Sequence, residues 1–562
     1  MNGPLIRWLA VAFAIFHVYN NLFTAVSELW FAAIHFGGFG ALCALGFHRK
    51  DEWASRSGPT RLVDIILAVL SLSVAVYLVG FEEALYARES EFIWSDFFFA
   101  GLAILLAMEF ARRTSGWFMP SLIAICLSYV LFLGRYVPGV FSFPGLNAET
   151  VLYRSFFSGD GMFGMIANIS ATFVFMFILF GAFLLKSGAG DFIVNVARSF
   201  AGRYQGGAGH VAVVGSGLMG SVSGSAVATT VSTGVITIPM MTRSGFSPRF
   251  AAGVEAAAST GGQLMPPVMG AGAFVMSSYT QIPYLTIIAV SILPALLYFL
   301  TVAFFVRIEA RRLNLTTDAG DDQTSAFDAL RKGWPFLIPL AVMIASLVMG
   351  YTPVRSATVA IFAVIAVSWV TATPMTLNRC FDATLDALRI MVPTAILLIA
   401  VGLVVNAVTT TGLGNAFSIM IVEWAGGSLM LTLVLVAMAS LILGMGLPVT
   451  ASYIVLATLA APALFNLITQ TAMLDALSAA DLPANVRAVV DLFGGDPVRA
   501  LSEMPQEMRQ LVRNELLDPA LVTGMLLSAH LIIFWLSQDS NITPPVCLVA
   551  FTAAAIAGTP PM

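Results

Sequence analysis

Apolar stretches of about twenty residues recur from one end of this chain to the other, and about twenty residues is the length an α-helix needs to cross the ~30 Å hydrocarbon core of a bilayer. In the first third they fall at 5–20, 27–47, 62–80, 97–111, 118–134 and 164–185. Lipid satisfies no backbone hydrogen bond, so such stretches must close their bonds within each helix. The expected fold class is therefore an all-α polytopic membrane protein. Composition agrees: 58% of the 562 residues are hydrophobic and 10% are charged, against ~45–50% and ~25% in soluble domains. A net charge of -4 gives no footprint for nucleic acid. Cys43, Cys126, Cys380 and Cys547 stand singly, with no metal or disulfide spacing. The run from Leu5 lacks a small-residue cleavage site and is read as a retained span.

Loop charges orient the spans. Arg49, Lys50, Arg56 and Arg61 in 48–61, and Arg112 and Arg113 in 112–116, place those loops in the cytoplasm. Between them 81–96 carries Glu82, Glu83, Glu89, Glu91 and Asp96 against Arg88 alone, and is expected outside. By alternation 135–163 lies outside, and 186–206, with Lys186, Arg198 and Arg203, lies inside.

Residues 207–242 break this alternation. They are small and apolar, yet Arg203 precedes them and Arg243 and Arg249 follow. A segment that enters and leaves on one face is expected to be a re-entrant hairpin, with its tip at Gly220–Ser225. A span at 247–282 then follows, interrupted at Gly261–Pro267, where Pro266 and Pro267 each lack an N–H and release a carbonyl of the preceding turn. The 284–306 span returns to a cytoplasmic stretch, 307–333, with a polar run at 317–325.

The second half repeats the first. A hairpin at 428–465 has its tip at Gly444-Met445-Gly446-Leu447-Pro448, and Asp539-Ser540-Asn541-Ile542-Thr543-Pro544-Pro545 takes the place of the earlier Pro-Pro break. Gly224 to Pro266 spans 42 residues and Gly446 to Pro544 spans 98; the polar insertion 466–516 accounts for the difference. Span counting has the second hairpin entered from outside, so the repeats are inverted, and paired interruptions in inverted halves point to the central site of a secondary transporter. The expected organisation is 1–135 as N-terminal helices, 136–306 as the first repeat, 307–333 as a linker and 334–558 as the second repeat. With Pro483, Gly494-Gly495 and Pro505 as breakers, the insertion is expected outside as a few short amphipathic helices, either solvated with no specific role or a docking surface. The second repeat has no counterpart of 284–306, so an extended reading frame is expected to add an apolar span.

Little soluble chemistry survives inspection. Gly215-Ser216-Gly217-Leu218-Met219-Gly220 fits a dinucleotide pattern, but no strand precedes it, and there is no ATP-binding lysine motif. His17, His35, His48, His210 and His530 form no recognised cluster and are read as packed residues. The breaks differ. Released carbonyls and nearby hydroxyls offer the oxygen environment a hard cation prefers, and half-helix N-termini can face a carboxylate. One cation site is expected around Ser223, Ser225, Gly262, Gln263 and Pro266, and another around Gly446, Thr450, Asp539, Asn541, Thr543 and Pro544. An anionic substrate is expected at Ser223, Gly224, Ser225, Gly446, Pro448 and Thr450. Glu255 and Asp539 lie in or beside spans, where a charge costs ~2.5–3.5 kcal/mol or more, so both are candidate proton carriers. Glu109 and Asp64 sit near span ends and are read as interfacial.

Three segments, Ser221–Ala228, Glu255–Pro267 and Ser537–Cys547, resemble the fused membrane permease of tripartite ATP-independent periplasmic (TRAP) transporters, most like the TAXI subgroup. The likeness covers about 160–465 and 517–558 well, and 1–135 by position only. It implies that 1–135 corresponds to the small membrane subunit and acts as scaffold, and that the hairpins and broken helices form an elevator-type transport domain in the bacterial inner membrane. It further implies import of small organic acid anions, carboxylates or dicarboxylates, delivered by a periplasmic TAXI-type substrate-binding protein and coupled to Na+ or H+, with no other cofactor and no enzymatic activity. A carboxylate/cation symporter that needs no binding protein is the alternative. Relative to that family the C-terminal end looks short and the 466–516 insertion is unusual.

Overall fold

In a computed structural model, residues 4–46, 59–88, 91–315, 330–331, 333–478, 482–544 and 547–560 are described; most of the 48–61 loop, the 317–325 run, Lys332 and Pro545 fall outside them. All regular structure among the described residues is helical. Among the described residues, eight helices are long and apolar enough to cross a membrane: Leu5–Phe23, Arg61–Arg88, Trp94–Ser115, Met165–Ala201, Tyr284–Arg312, Leu377–Thr411, Val449–Leu477 and Pro519–Asn541. Helix starts and stops are written locally. Ser247–Pro248, Thr352–Pro353 and Asp518–Pro519 each pair a capping side chain with proline at the first helical position. Gly224, Gly412 and Gly558 end helices in the left-handed region that glycine enters without strain.

The N-terminal helices are α1 (Pro4–Phe23), α2 (Glu28–Ala44), α3 (Pro59–Arg88), α4 (Trp94–Ser115), α5 (Phe118–Leu131) and the short α6 (Ala148–Phe156). Helix α3 runs eight residues past its expected end into 81–96, and α5 stops at Leu131 because the chain turns into a 3-10 segment, Leu133–Tyr136. Asp64, near the start of α3, is buried and paired at 2.7 Å with Arg113 near the end of α4.

Helix α7 (Met165–Ala201) carries π-helical segments at Ser170–Val174 and Leu185–Ala189 and bends at Gly188, whose φ is 99°. Its last section, Gly190–Ala201, is amphipathic, so 186–206 is a bent helix end rather than a loop. Next come α8 (Gly207–Ser223) and α9 (Ala226–Arg243), packed side by side as a hairpin, then α10 (Pro248–Gly262), α11 (Ala271–Thr280) and α12 (Tyr284–Arg312).

The second half has α13 (Leu337–Val348), α14 (Pro353–Ser368), α15 (Leu377–Thr411) and α16 (Leu413–Trp424), then the hairpin of α17 (Leu429–Gly444) and α18 (Val449–Leu477). Helix α18 extends twelve residues beyond the expected hairpin end at 465. The insertion is therefore a folded unit: α19 (Ala484–Leu492), α20 (Pro497–Glu503) and α21 (Gln506–Leu516) share a small core of their own with Met473 and Leu477 of α18. Helix α22 (Pro519–Leu536) passes into a 3-10 turn, Ser537–Asn541, and α23 (Leu548–Ala557) follows.

Two arrangements position the site. The long, mostly buried α15 lies against α1, α2, α4 and α5 on one side and α7 and α18 on the other, joining N-terminal helices to both repeats. The broken helices are exchanged: α23 packs on α9 and α10 of the first repeat, and α11 packs on α18 and α22 of the second.

Candidate functional site

The first hairpin tip sits on the first break. At Gly220, a methyl group would lie 2.4 Å from the Gly262 Cα, so α8 and α10 cross backbone to backbone, a contact only glycines permit. Val268 N–H donates to Ser221 O at 3.0 Å, and a methyl on Gly224 would meet Met269 O at 2.5 Å. The break is closed on itself: Gly270 N–H donates to Gln263 O at 2.8 Å, and the buried Tyr284 hydroxyl reaches Val268 O at 2.5 Å and Pro267 O at 3.0 Å. Some carbonyls expected to await a cation thus already hold a hydrogen bond. Tyr284 has no signal in the Pro-Pro motif, since it enters from the next helix.

The second tip sits on the second break in the same way. A methyl on Gly444 would lie 3.3 Å from Ser540 N. The contacts Gly220–Gly262 and Gly444–Ser540 set the register of the repeats: Gly262 and Ser540 each stand four residues before a proline, and Gly444 takes the place of Gly220. That register is two residues from the Gly224–Gly446 pairing suggested by the glycine clusters. Gly446 lies elsewhere, with its methyl position 2.1 Å from the Phe118 ring at the start of α5.

The two breaks are joined by side chains. Gln263 donates from Nε2 to Gly224 O at 3.1 Å and accepts at Oε1 from Asn541 Nδ2 at 2.8 Å; Asn541 also reaches Gln538 Oε1 at 3.4 Å. First tip, first break, second break and second tip thus form one connected body. Four helices end there (α8, α10, α17 and the 537–541 turn) and four begin (α9, α11, α18 and α23). Helix C-termini offer carbonyls to a cation and N-termini offer N–H groups and dipole to an anion, each worth ~0.3–1 kcal/mol when exposed and more in a dry site.

The remaining expected residues have more local roles. Ser225 Oγ caps α9 through Ala228 N at 3.3 Å, and Ser223 Oγ shares a 2.8 Å bond with Thr229 Oγ1. Pro448 precedes α18 in extended conformation, Thr450 is partly buried, and Thr543 N–H donates to Asp539 O at 2.8 Å. Pro266 is partly buried in the break and Pro544 is exposed. Glu255 is fully buried but stands two turns before the break, surrounded by hydroxyls of Ser216, Thr233, Thr237 and Ser259.

The structure also assembles a pair that no local motif encodes. His17 Nε2 and His35 Nδ1 lie 2.9 Å apart, both fully buried, and His35 Nε2 lies 2.9 Å from Ser170 Oγ in the first π-helical segment of α7. They come from adjacent helices, eighteen positions apart, a spacing no local motif encodes.

Comparison with known proteins places this geometry in context. The family described as the tripartite ATP-independent periplasmic transporter, DctM component, matches residues 102–562. The chain is 27% identical over 246 residues to the C4-dicarboxylate TRAP transporter large permease protein DctM of Vibrio cholerae, covering 42% of this chain and 54% of that protein. It is 27% identical over 204 residues to the sialic acid TRAP transporter large permease protein SiaM of the same species, covering 36% and 47%. To the 2,3-diketo-L-gulonate TRAP transporter large permease protein YiaN of Escherichia coli it is 26% identical over 215 residues, covering 38% and 50%. The chain spans about half the length of these curated relatives.

Proposed function

From the premise that this chain belongs to the DctM-component family of tripartite ATP-independent periplasmic transporters, a family of multi-pass inner-membrane permeases rather than enzymes, we propose that it imports organic acid anions by an ion-coupled elevator mechanism, fed by a periplasmic substrate-binding protein of the TAXI type. Its relatives are named for C4-dicarboxylate, sialic acid and diketogulonate, all carrying a carboxylate.

The observation that carries the reading is the Gln263–Asn541 hydrogen bond. It ties two interrupted helices of opposite repeats into one body, where eight helix ends meet. The substrate carboxylate binds at the helix starts near Ser223, Gly224, Ser225, Pro448 and Thr450, with Gly446 behind the second tip. Coupling cations bind at the helix ends, one with Ser223, Ser225, Gly262, Gln263 and Pro266, the other with Thr450, Asp539, Asn541, Thr543 and Pro544. The hairpins are re-entrant and move with α10, α11, α22 and α23, while α1–α5 and α15 stay as scaffold.

The energetics set a minimum stoichiometry. Moving a dianion inward against 100 mV costs ~4.6 kcal/mol, at ~2.3 per charge, which two cations only neutralise. At least two cations per dicarboxylate are therefore required for electrically neutral import, and more for accumulation driven by the potential.

Uptake of radiolabelled succinate, sialic acid and 2-oxoglutarate into proteoliposomes, with and without the cognate soluble binding protein and with imposed Na+ or pH gradients, tests the reading. Uptake that needs both the binding protein and a gradient is expected. Equal uptake without the binding protein supports the simple carboxylate/cation symporter instead, and uptake without any gradient ends the coupling model.

A further inference from the structure

The acid inside the first repeat is enclosed in a way that suits one ligand. Glu255 Oε1 accepts from Ser216 Oγ at 2.7 Å, Thr233 Oγ1 at 2.6 Å and Ser259 Oγ at 3.0 Å, and Oε2 accepts from Thr237 Oγ1 at 2.6 Å. Thr229, Thr233 and Thr237 recur every four residues, so α9 lays a hydroxyl stripe against α10. All of these groups are buried.

Each threonine has a second acceptor one turn back: Thr233 Oγ1 is 2.8 Å from Thr229 O and Thr237 Oγ1 is 3.0 Å from Thr233 O. This makes both charge states of the acid satisfiable. With Glu255 ionised, four hydroxyls donate to the carboxylate. When a proton adds to Oε2, the new O–H donates to Thr237 Oγ1, and the Thr237 hydrogen swings to Thr233 O. The proton comes from hydronium, whose O–H bond breaks as the carboxylic O–H bond forms, and the charge of the site changes by one unit without moving any of its heavy atoms.

A metal cation fits poorly. A hard ion of calcium size bonds oxygens at ~2.3–2.6 Å, which holds neighbouring ligands ~3.3–3.6 Å apart. The oxygens around Glu255 touch at 2.6–3.0 Å, with hydrogens and not a metal between them. Among the described residues no formal charge offsets the acid either. The charged or titratable groups on α8, α9, α10, α12 and the 537–541 turn are His210, Arg243, Arg249, Tyr284, Tyr298, Arg307, Glu309, Arg311, Arg312 and Asp539, and none of them bonds Glu255; α23 carries none.

The second repeat lacks this arrangement. In the register set by Gly220–Gly262 and Gly444–Ser540, Ser216 corresponds to Ser440 and Glu255 to Ile533. Ser440 is fully buried with no hydrogen-bond partner, and Ile533 is fully buried.

We propose that Glu255, with Ser216, Thr233, Thr237 and Ser259, is a proton-binding site present in the first repeat only and separate from the residues of the two breaks. Resting on the reading of the chain as an ion-coupled transporter, this site makes transport sensitive to protons on one side of the pseudo-symmetry. Infrared titration of the full chain in nanodiscs between about pH 5 and pH 9, with no substrate, tests it with the proton itself as ligand. A buried carboxylic C=O band that titrates in wild type and in Asp539→Asn, and is missing in Glu255→Gln, is expected. Thr237→Val, which removes one hydroxyl donor, is expected to keep the band and move its midpoint by about one pH unit. Identical spectra for wild type and Glu255→Gln overturn the proposal, as does an unmoved midpoint in Thr237→Val. Because no transport is measured, a titrating Glu255 in a chain that imports no organic anion leaves the proton site standing and removes the transport reading instead.

Discussion

Asn541 donates its amide hydrogen to Gln263 Oε1 at 2.8 Å across 278 residues of sequence, and this one bond links the interrupted helices of the two repeats. Asn541→Ala removes it and leaves Gln263 Oε1 without its donor. A lost hydrogen bond of this kind costs ~1–2 kcal/mol, so the half-saturating cation concentration for uptake should rise by roughly tenfold. An unchanged value in proteoliposomes would detach this joint from ion coupling.

The crossing of α8 and α10 should tolerate no added atom. Gly220→Ala places a methyl 2.4 Å from the Gly262 backbone, which should cost ~1–3 kcal/mol in strain and lower the thermal midpoint in detergent. Gly253→Ala, in α10 with Gly262 but with open space around it, should be neutral or stabilising by ~0.4–1 kcal/mol. Similar midpoints for the two variants contradict the backbone contact.

Much of the architecture was legible in the sequence because lipid imposes a length on every span, and the run of apolar stretches reports it directly. Glycine and proline clusters likewise marked where helices stop, at Gly224, Gly262 and Gly444. What stayed hidden depends on long-range packing. Nothing in Leu548–Ala557 says that it lies on α9 and α10, and nothing in Pro266–Pro267 names Tyr284 as the group that closes the break. Ser223 and Ser225 were singled out as ligand hydroxyls, yet both also make bonds within the tip, because short hydroxyl side chains serve the nearest backbone first.

The second tip also meets an N-terminal helix: Phe118 of α5 fills the space a side chain at Gly446 would need. Gly446→Ala should slow uptake severalfold by displacing that ring, and Phe118→Ala in the same chain should restore most of the rate. A double-mutant cycle with no interaction energy would show that the two sites act independently.

Single cysteines at the exposed Leu492 and Leu511 report sidedness of the insertion. Membrane-impermeant maleimide should label both from the periplasmic side of oriented vesicles. Labelling from the cytoplasmic side alone would rule out inverted repeats.

The buried His17–His35–Ser170 series joins α1 and α2 to α7. Ser170→Ala removes the partner of His35 Nε2 and should cost ~1–3 kcal/mol, read as a lower unfolding midpoint of the whole chain. An unchanged midpoint would mean that the N-terminal helices are held by apolar packing alone.

The exchange of α11 and α23 between the repeats imposes an order on biosynthesis. When α9 and α10 leave the ribosome, the helix that will cover them is still roughly 290 residues from being made, about 15–60 s at ~5–20 residues per second. During that interval the first hairpin waits half-covered beside the translocon, and α11 waits for α18 and α22. Helix α11 meets its partners once α18 and α22 are made, whereas α9 and α10 wait longer, so the inserted chain holds the first hairpin open until α23 arrives.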